Sequence, residues 1–262
     1  GVSTFDLVLI NKHILGLAPL NSPYKMIAAD ANNSRSITTF DIVELRKLIL
    51  GIYTELPNNT SWRFVDSGFN FPNQQNPFET IFPETKQIAD MQASMAAENF
   101  VSVKVGDVNQ NAVTSSLYNT EDRTEGTLMF DVQDRTVKAG ETVTLNFRAA
   151  ERNLGYQLTM NFPNLEVVDV VTGAEMTMSN FGIFNSNHSL TTSFDNENIV
   201  GEFAITFRAK AAGTLSQMLS VSSQITKAEA YDLNQNRQSV ALRFNGNNGT
   251  TVTGLGFELY QN

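Results

Sequence analysis

Within the twelve residues from Asp30 to Asp41, oxygen-bearing side chains recur at a spacing that suits a hard cation. Asp30, Asn32 and Ser34 take positions 1, 3 and 5, and Asp41 takes position 12. Ca²⁺ prefers six to eight oxygen ligands, and the seventh residue of such a loop supplies its backbone carbonyl. Thr38, three residues before Asp41, gives the following helix a capping-box-like start. The sequence therefore predicts a Ca²⁺ site formed by Asp30, Asn32, Ser34, Ser36 and Asp41.

An internal repeat separates this loop from an ordinary polar turn. Residues 1–16 match residues 36–51 at a constant offset of 35 positions. Asn, Asp and Ser all favour turns, but a turn has no reason to recur with its helix attached. The identical pairs are Thr4/Thr39, Phe5/Phe40, Asp6/Asp41, Val8/Val43, Lys12/Lys47, Ile14/Ile49, Leu15/Leu50 and Gly16/Gly51.

The duplicated loop and helix of residues 1–51 resemble the dockerin family, whose two calcium loops each open a helix. The sequence departs from that pattern in two places. Arg35 stands where these loops usually carry a glycine for a sharp turn, which leaves open a weaker or distorted site. The first loop lacks its first six positions, because the sequence begins at position 7 and an upstream piece is expected to be missing.

A second cation site is predicted from the residues that the first loop lacks. Asp107, Asn109 and Asn111 have the types and spacing of loop positions 1, 3 and 5. Chain termini of a domain often lie close together, so these residues are expected to meet Gly1 to Asp6. Two other readings remain open: residues upstream of Gly1 complete the loop, or the site forms between neighbouring molecules. The predicted ligands are Asp6, Asp107, Asn109 and Asn111.

The Asp-x-Asn-x-Asn form of residues 107–111 occurs again at residues 232–236. There it lies between two strand-like runs, and a hairpin turn explains it fully. The form alone is therefore a weak calcium signal.

Composition limits the classes of function. The net charge of −9 and pI near 4.7 argue against nucleic acid or an anionic membrane surface as a partner. The sequence has no Cys and two His, which excludes disulfides and argues against zinc. No apolar run reaches the roughly 18 residues of a membrane span. Calcium sites of this kind favour an extracellular or cell-surface location.

The period of the apolar residues predicts helices first and strands later. Helices are expected over 5–15 and 40–50, each ending at a glycine. Residues 54–99, rich in Pro and Phe, are predicted to form an irregular flap whose aromatic rings pack on the helix pair. A sugar-stacking platform is the alternative for those rings. Residues 98–106 alternate and predict a strand.

From Thr127 the period is two, which predicts an antiparallel β-sandwich with no helices between its strands. The predicted strands are 142–148, 156–162, 165–171, 202–208 and 228–231. The runs 139–145, 155–162 and 203–213 resemble the cohesin family. That resemblance implies a jelly-roll-like sandwich over residues 127–245 and a dockerin-type binding partner.

The predicted organisation is multidomain: a small α-rich dockerin-like module with EF-hand-like loop–helix pairs, followed by an all-β antiparallel sandwich. The tail Gly256–Asn262 resembles the opening of the C-terminal sorting domain of type IX-secreted proteins, which implies export. The predicted parts are a calcium-binding module (1–112), a linker (113–126), a cohesin-like sandwich (127–245) and a linker with the start of the sorting domain (246–262).

No nucleophile, metalloprotease or phosphate-loop motif is present, so no catalytic residues are predicted. The favoured function is a non-enzymatic, calcium-dependent adhesion or assembly module of a secreted surface or fibre-forming protein. Its expected partners are copies of itself or cohesin- and dockerin-type modules. The alternatives are the accessory region of a secreted polysaccharide-degrading enzyme and a carbohydrate-binding module.

Overall fold

The structure is a computed structural model that describes residues 1–90, 98–113, 124–173, 175–246 and 249–253. The chain forms two compact units. Unit 1 contains residues 1–48 and 53–119, and unit 2 contains residues 49–52 and 120–262. The predicted linker lies largely outside the described residues, and the tail Gly256–Asn262 lies wholly outside them. Within the described residues, no helix is long and apolar enough to cross a membrane.

Both predicted helices of the repeat are present, each within one residue of its expected bounds. Helix α1 is Thr4–Ile14 and helix α3 is Thr39–Ile49. The glycines that follow them, Gly16 and Gly51, adopt the left-handed conformation, with φ of 71° and 72°. This conformation has no steric cost for glycine, which is why glycine ends so many helices.

Unit 1 also contains elements that the sequence pattern did not predict. Helix α2, Pro23–Ala29, begins with a proline at a position where the missing N–H costs nothing. Strand β1, Trp62–Asp66, lies in the flap and pairs antiparallel with β2, Phe100–Lys104. The short β2 falls within the strand predicted over 98–106. The flap is therefore only partly irregular.

The flap aromatics form a small core against α2, an element that the expected packing on the repeated helices did not include. Phe71 and Phe82 are buried, and their rings lie 5.9 Å apart. Phe71 also makes edge-on contacts with Tyr24 of α2 at 5.7 Å and with Phe69 at 5.0 Å. Edge-to-face pairs of this kind add about 1 kcal/mol each to the burial of the rings. Phe69, Phe71 and Phe82 therefore stabilise the fold of unit 1 through ring contacts.

Unit 2 is built on one long, bent sheet in the order β7-β10-β5-β3-β14-β13-β6-β9-β8, with β15 beside β14 and β12 beside β6. A separate short pair joins β4 and β11. The strands are β3 Thr127–Gln133, β4 Thr136–Val137, β5 Thr142–Ala149, β6 Asn153–Asn161, β7 Leu165–Thr172, β8 Phe181–Phe184, β9 Ser189–Ile199, β10 Glu202–Ala209, β11 Gly213–Thr214, β12 Ser220–Ser222, β13 Glu229–Tyr231, β14 Arg237–Gly246 and β15 Gly249–Thr253.

The two halves of this sheet pack face to face as a β-sandwich. Phe130 of β3 contacts Tyr156 of β6 at 4.9 Å between ring centroids. Phe203 of β10 contacts Phe181 of β8 at 5.3 Å. These rings belong to one buried apolar cluster, which draws on both halves of the sheet. The predicted sandwich is confirmed.

Three features of the sandwich differ from the prediction. Strand β3 pairs with β14 in parallel, whereas all pairs were expected to be antiparallel. A four-residue helix, α4 (Leu215–Met218), interrupts the strands. Strand β6 is buried on both faces, because the segment that includes Thr226 and Lys227 accepts hydrogen bonds from its outward-facing Thr159 and Gln157.

Candidate metal centre

The continuous loop, residues 30–41, begins directly after α2 and folds around the carboxylate of Asp30. The Ser34 amide donates to Asp30 Oδ1 at 2.8 Å, and the Arg35 amide donates to Asp30 Oδ2 at 2.9 Å. The Ser34 amide also donates to Asn32 Oδ1 at 3.0 Å. Asp30 is fully buried, so its carboxylate is held in place by backbone amides inside the unit.

The far end of the continuous loop is organised by Asp41. The Asn32 amide donates to Asp41 Oδ1 at 3.1 Å, which joins the two ends of the loop. Thr38 donates to Asp41 Oδ2 from its amide at 2.8 Å and from its hydroxyl at 3.2 Å. Asp41 is also fully buried. Ser36 lies between these anchors, and its carbonyl accepts from the Ser34 hydroxyl at 3.3 Å.

Arg35, at the position where glycine was expected, adopts the left-handed conformation with φ of 64°. A non-glycine residue there costs roughly 1–2 kcal/mol. The loop therefore makes its sharp turn despite the substitution, and the two amides that bind Asp30, those of Ser34 and Arg35, lie directly before the turn.

The split loop consists of residues 107–112 together with residues 1–6. Asp107, which follows β2, accepts from the Asn111 amide at 3.1 Å and from the Ala112 amide at 2.7 Å. The Asn111 amide also donates to Asn109 Oδ1 at 3.1 Å. These three bonds reproduce those around Asp30 and Asn32 in the continuous loop.

Asp6 closes the split loop as Asp41 closes the continuous one. The Asn109 amide donates to Asp6 Oδ1 at 3.1 Å. Ser3 donates to Asp6 Oδ2 from its amide at 2.9 Å and from its hydroxyl at 3.1 Å. The structure therefore brings Asp6, Asp107 and Asn109 together, although Asp6 and Asn109 are 103 positions apart in the chain.

The two loops are related residue by residue. Six of the seven hydrogen bonds described for the continuous loop have a counterpart in the split loop; the exception is the bond from the Ser34 hydroxyl to the Ser36 carbonyl. The residue after the second Asx position is also left-handed in both, Asn33 at φ 57° and Gln110 at φ 61°. Gly106, just before the split loop, donates to the carbonyl of Ala28 at 2.8 Å, just before the continuous loop. The internal repeat seen in the sequence thus extends to a pair of loops.

Each loop concentrates negative charge inside the unit. Burial raises the pKa of Asp6 to about 7, and the charge of Asp107 adds to that rise. Burial also raises the pKa of Asp30, and the charge of Asp41 adds to it. A bound cation would relieve the repulsion within both pairs of carboxylates.

The oxygen atoms available as metal ligands belong to several kinds of chemical group. Each loop brings together two carboxylates, and its remaining oxygens come from amides, hydroxyls and backbone carbonyls. Across the described residues, no three His, Cys, Asp or Glu side chains cluster in a way that would hold a metal. Carboxylates combined with amide and carbonyl oxygens form the donor set that Ca²⁺ takes, so the residues fit that ion.

The second Asp-x-Asn-x-Asn run, residues 232–236, is the tight turn between β13 and β14. Asp232 Oδ1 accepts from the amides of Asn234 and Asn236, both at 2.8 Å. The Asp232 amide donates to the Asn236 carbonyl at 3.0 Å, which closes the hairpin. This bond within the turn makes it a hairpin and distinguishes it from the two loops, each of which is closed by a second aspartate from the start of a helix.

No protein-family model matches this sequence, and no curated protein sequence matches it. Among solved structures, a chain of the type I cohesin–dockerin complex Coh-OlpC-Doc435 from Clostridium thermocellum aligns at 15% identity, covering 47% of this chain and 94% of that one, with a TM-score of 0.34. A non-cellulosomal cohesin from Archaeoglobus fulgidus aligns at 19%, covering 51% and 94%, with a TM-score of 0.30. The type II cohesin A11 from Bacteroides cellulosolvens aligns at 13%, covering 49% and 98%, with a TM-score of 0.34.

Proposed function

We propose that unit 1 binds two Ca²⁺ ions and that the chain is a non-catalytic, extracellular, calcium-dependent assembly module. In this proposal it belongs to a secreted surface or fibre-forming protein. The observation that carries the calcium proposal is the pair of loops with the same six hydrogen bonds around two buried carboxylates each. A single polar turn would account for one such loop, but not for its repetition with a repeated helix.

Ca²⁺ at these loops would supply positive charge to pairs of buried carboxylates. In the continuous loop the ligands would be Asp30, Asn32, Ser34, the carbonyl of Ser36, and Asp41. In the split loop they would be Asp6, Asp107, Asn109 and Asn111. The protein prepares both sites by fixing carboxylate oxygens with backbone amides, which reduces the ordering that binding requires.

The assembly part of the proposal comes from the resemblance of the two halves of the sequence to partner families. A dockerin-like surface on one copy and a cohesin-like sandwich on another would form a heterologous contact, and such contacts build open chains. The partner is therefore a second copy or a cohesin- or dockerin-type module. Carbohydrate binding by the flap is less favoured, because Phe71 and Phe82 are buried in its core.

Calorimetric titration of the full chain with Ca²⁺ tests the proposal directly. We expect two bound ions in the unsubstituted chain and one in both Asp30→Ala and Asp107→Ala. Asp232→Ala, in the hairpin turn, is the matched control and should retain two ions.

A full chain that binds no Ca²⁺, or one whose stoichiometry is the same in all three variants, would contradict the calcium assignment. Sedimentation of the same samples tests assembly: the mass should rise with Ca²⁺ and fall with chelator. An unchanged mass at saturating Ca²⁺ would reject self-association.

A further inference from the structure

The flap reaches the continuous calcium loop at three separate points. The side-chain amide of Asn59 donates to the Asp30 carbonyl at 2.8 Å. The guanidinium of Arg35 donates to the carbonyl of Phe78. Arg63 Nη1 donates to Asn33 Oδ1 at 3.0 Å. Contacts at loop positions 1, 4 and 6 mean that the flap supports the half of the loop that carries the first ligands.

Among the flap residues in these contacts, Arg63 is the one with a charged side chain; the other cation, Arg35, belongs to the loop itself. The Nε and Nη2 atoms of Arg63 donate to the two carboxylate oxygens of Glu84, both at 2.8 Å. Its guanidinium also lies 4.9 Å from the ring centroid of Phe82. The Arg63 side chain is only 13% exposed, so the planar group is fixed on three sides.

The charge of Arg63 acts on the loop in two opposing ways. It helps to hold Asp30 as a carboxylate, because the positive charge lowers the pKa of Asp30 against the effect of burial. The same charge would repel a cation that binds there. Glu84 neutralises the guanidinium through a two-bond contact, which limits that repulsion.

From this geometry we propose that the Arg63–Glu84 pair sets the Ca²⁺ affinity of the continuous loop. Arg63 brings its charge to the loop at Asn33, and Glu84 cancels that charge so that a divalent cation is accepted. The proposal rests on the calcium function proposed above. Both are positioning residues, since neither supplies a ligand oxygen to the loop.

The test uses the full chain with Asp107→Asn, which removes one of the two carboxylates of the split loop and so weakens that site relative to the continuous one. In that background, Glu84→Gln should weaken Ca²⁺ binding roughly fivefold, the effect of one unbalanced charge near a divalent ion at a protein surface. Adding Arg63→Gln should restore the affinity to within about twofold, because the unbalanced charge is then gone. Glu55→Gln, an exposed glutamate on the same segment, is the charge-matched control.

The rescue separates electrostatic tuning from simple support, since loss of a brace would make the double variant weaker than the single one. The loss in Glu84→Gln should also shrink as NaCl is raised, because salt screens the charge. Equal affinities in Glu84→Gln and Glu55→Gln would overturn this inference while leaving the calcium function intact. Absence of any Asp30-dependent binding in the Asp107→Asn chain would overturn both.

Discussion

The continuous loop and the split loop of unit 1 share six internal hydrogen bonds but differ in chain connectivity. In the continuous loop, twelve consecutive residues run from the end of α2 into α3. In the split loop, the Asx turn follows β2 and the closing aspartate belongs to α1. The comparison shows that the arrangement depends on two local parts, a turn that begins Asp-x-Asn and a capped helix start. The chain between those parts does not matter to their geometry.

The difference in connectivity has a thermodynamic consequence. A cation in the continuous loop closes only a short loop, whereas a cation in the split loop ties together segments that are distant in sequence. Cross-links that close longer loops remove more entropy from the unfolded chain, although the gain grows slowly with loop length. Ca²⁺ at the split loop should therefore hold residues 1–6 to residues 107–112 and protect both segments from opening.

Removal of one calcium site is expected to have the largest effect. A micromolar site adds roughly 4 kcal/mol to the free energy of unfolding at 1 mM Ca²⁺, whereas a millimolar site adds only about 0.4 kcal/mol. Asp30→Asn keeps an oxygen acceptor for the Ser34 amide but loses the charge. In a micromolar site, it should remove about 4 kcal/mol of the calcium-dependent stabilisation.

Urea unfolding in Ca²⁺ and in chelator checks this prediction. The fluorescence of Trp62, which lies in β1 and is the single tryptophan of the sequence, reports on unit 1. Asp232→Asn, in the hairpin turn of unit 2, should leave the calcium-dependent term unchanged. If the unfolding curve of the unsubstituted chain does not respond to chelator, the prediction is wrong. The two loops would then not differ from the hairpin turn in calcium binding.

Two left-handed glycines give the next largest effect. Gly106, just before the split loop, has φ of 89°, and a Cβ there would lie 2.6 Å from Leu45 Cδ2 and 2.8 Å from Val2 Cγ2. Gly16, after α1, has φ of 71° and no neighbouring atom within 4 Å of that position. Gly16→Ala should therefore cost about 1 kcal/mol for the backbone alone, and Gly106→Ala about 3 kcal/mol.

The same urea measurement compares the two glycine variants. Because Gly106 also donates to Ala28, its substitution should lower Ca²⁺ affinity as well as stability, whereas Gly16→Ala should leave affinity unchanged. Equal losses of stability in the two variants would mean that Leu45 and Val2 do not restrict the position of Gly106.

The smallest expected effect lies in unit 2 and is independent of calcium. Hydrogen bonds and charge from Arg243 lower the pKa of Asp131 below its usual value. A lowered carboxyl pKa contributes stability above the unfolded-state pKa near 4, and this contribution is lost as the pH falls through the folded-state value. The pair is partly exposed, so the contribution is a few tenths of a kcal/mol.

Urea unfolding from pH 7 to pH 2 in chelator measures this contribution to the free energy of unfolding. The comparison is between the unsubstituted chain and Asp131→Asn. The difference between the two proteins should be largest at neutral pH and vanish at the acidic end. A difference that grows as the pH falls would show that the Arg243 contact does not favour the charged form of Asp131.

Several parts of this protein follow from sequence because they depend on local pattern. The helices containing Phe5 and Phe40 were predictable from their repeated sequence, and glycine marked their ends. Strand β5 was predictable from strict alternation, because every second side chain of a half-buried strand faces the core. The continuous loop was predictable as a unit, since Asp30 and Asp41 are bound through amides of the residues between them.

Other parts were decided only by tertiary structure, because they join residues that no local pattern connects. Arg63 meets both Glu84 and Asn33 only after the chain has folded back on itself. The parallel pairing of β3 with β14 has the same cause, since alternation specifies which side chains face the core but not which strand lies alongside. The contact of Asp6 with Asn109 is also distant in sequence, and it could be predicted only because residues 107–111 match the ligands that the first loop lacks. Sequence determined the parts of the two loops and the sandwich. The long-range contacts determined how those parts combine, because the spacing of side chains along the sequence does not specify which distant residues come into contact.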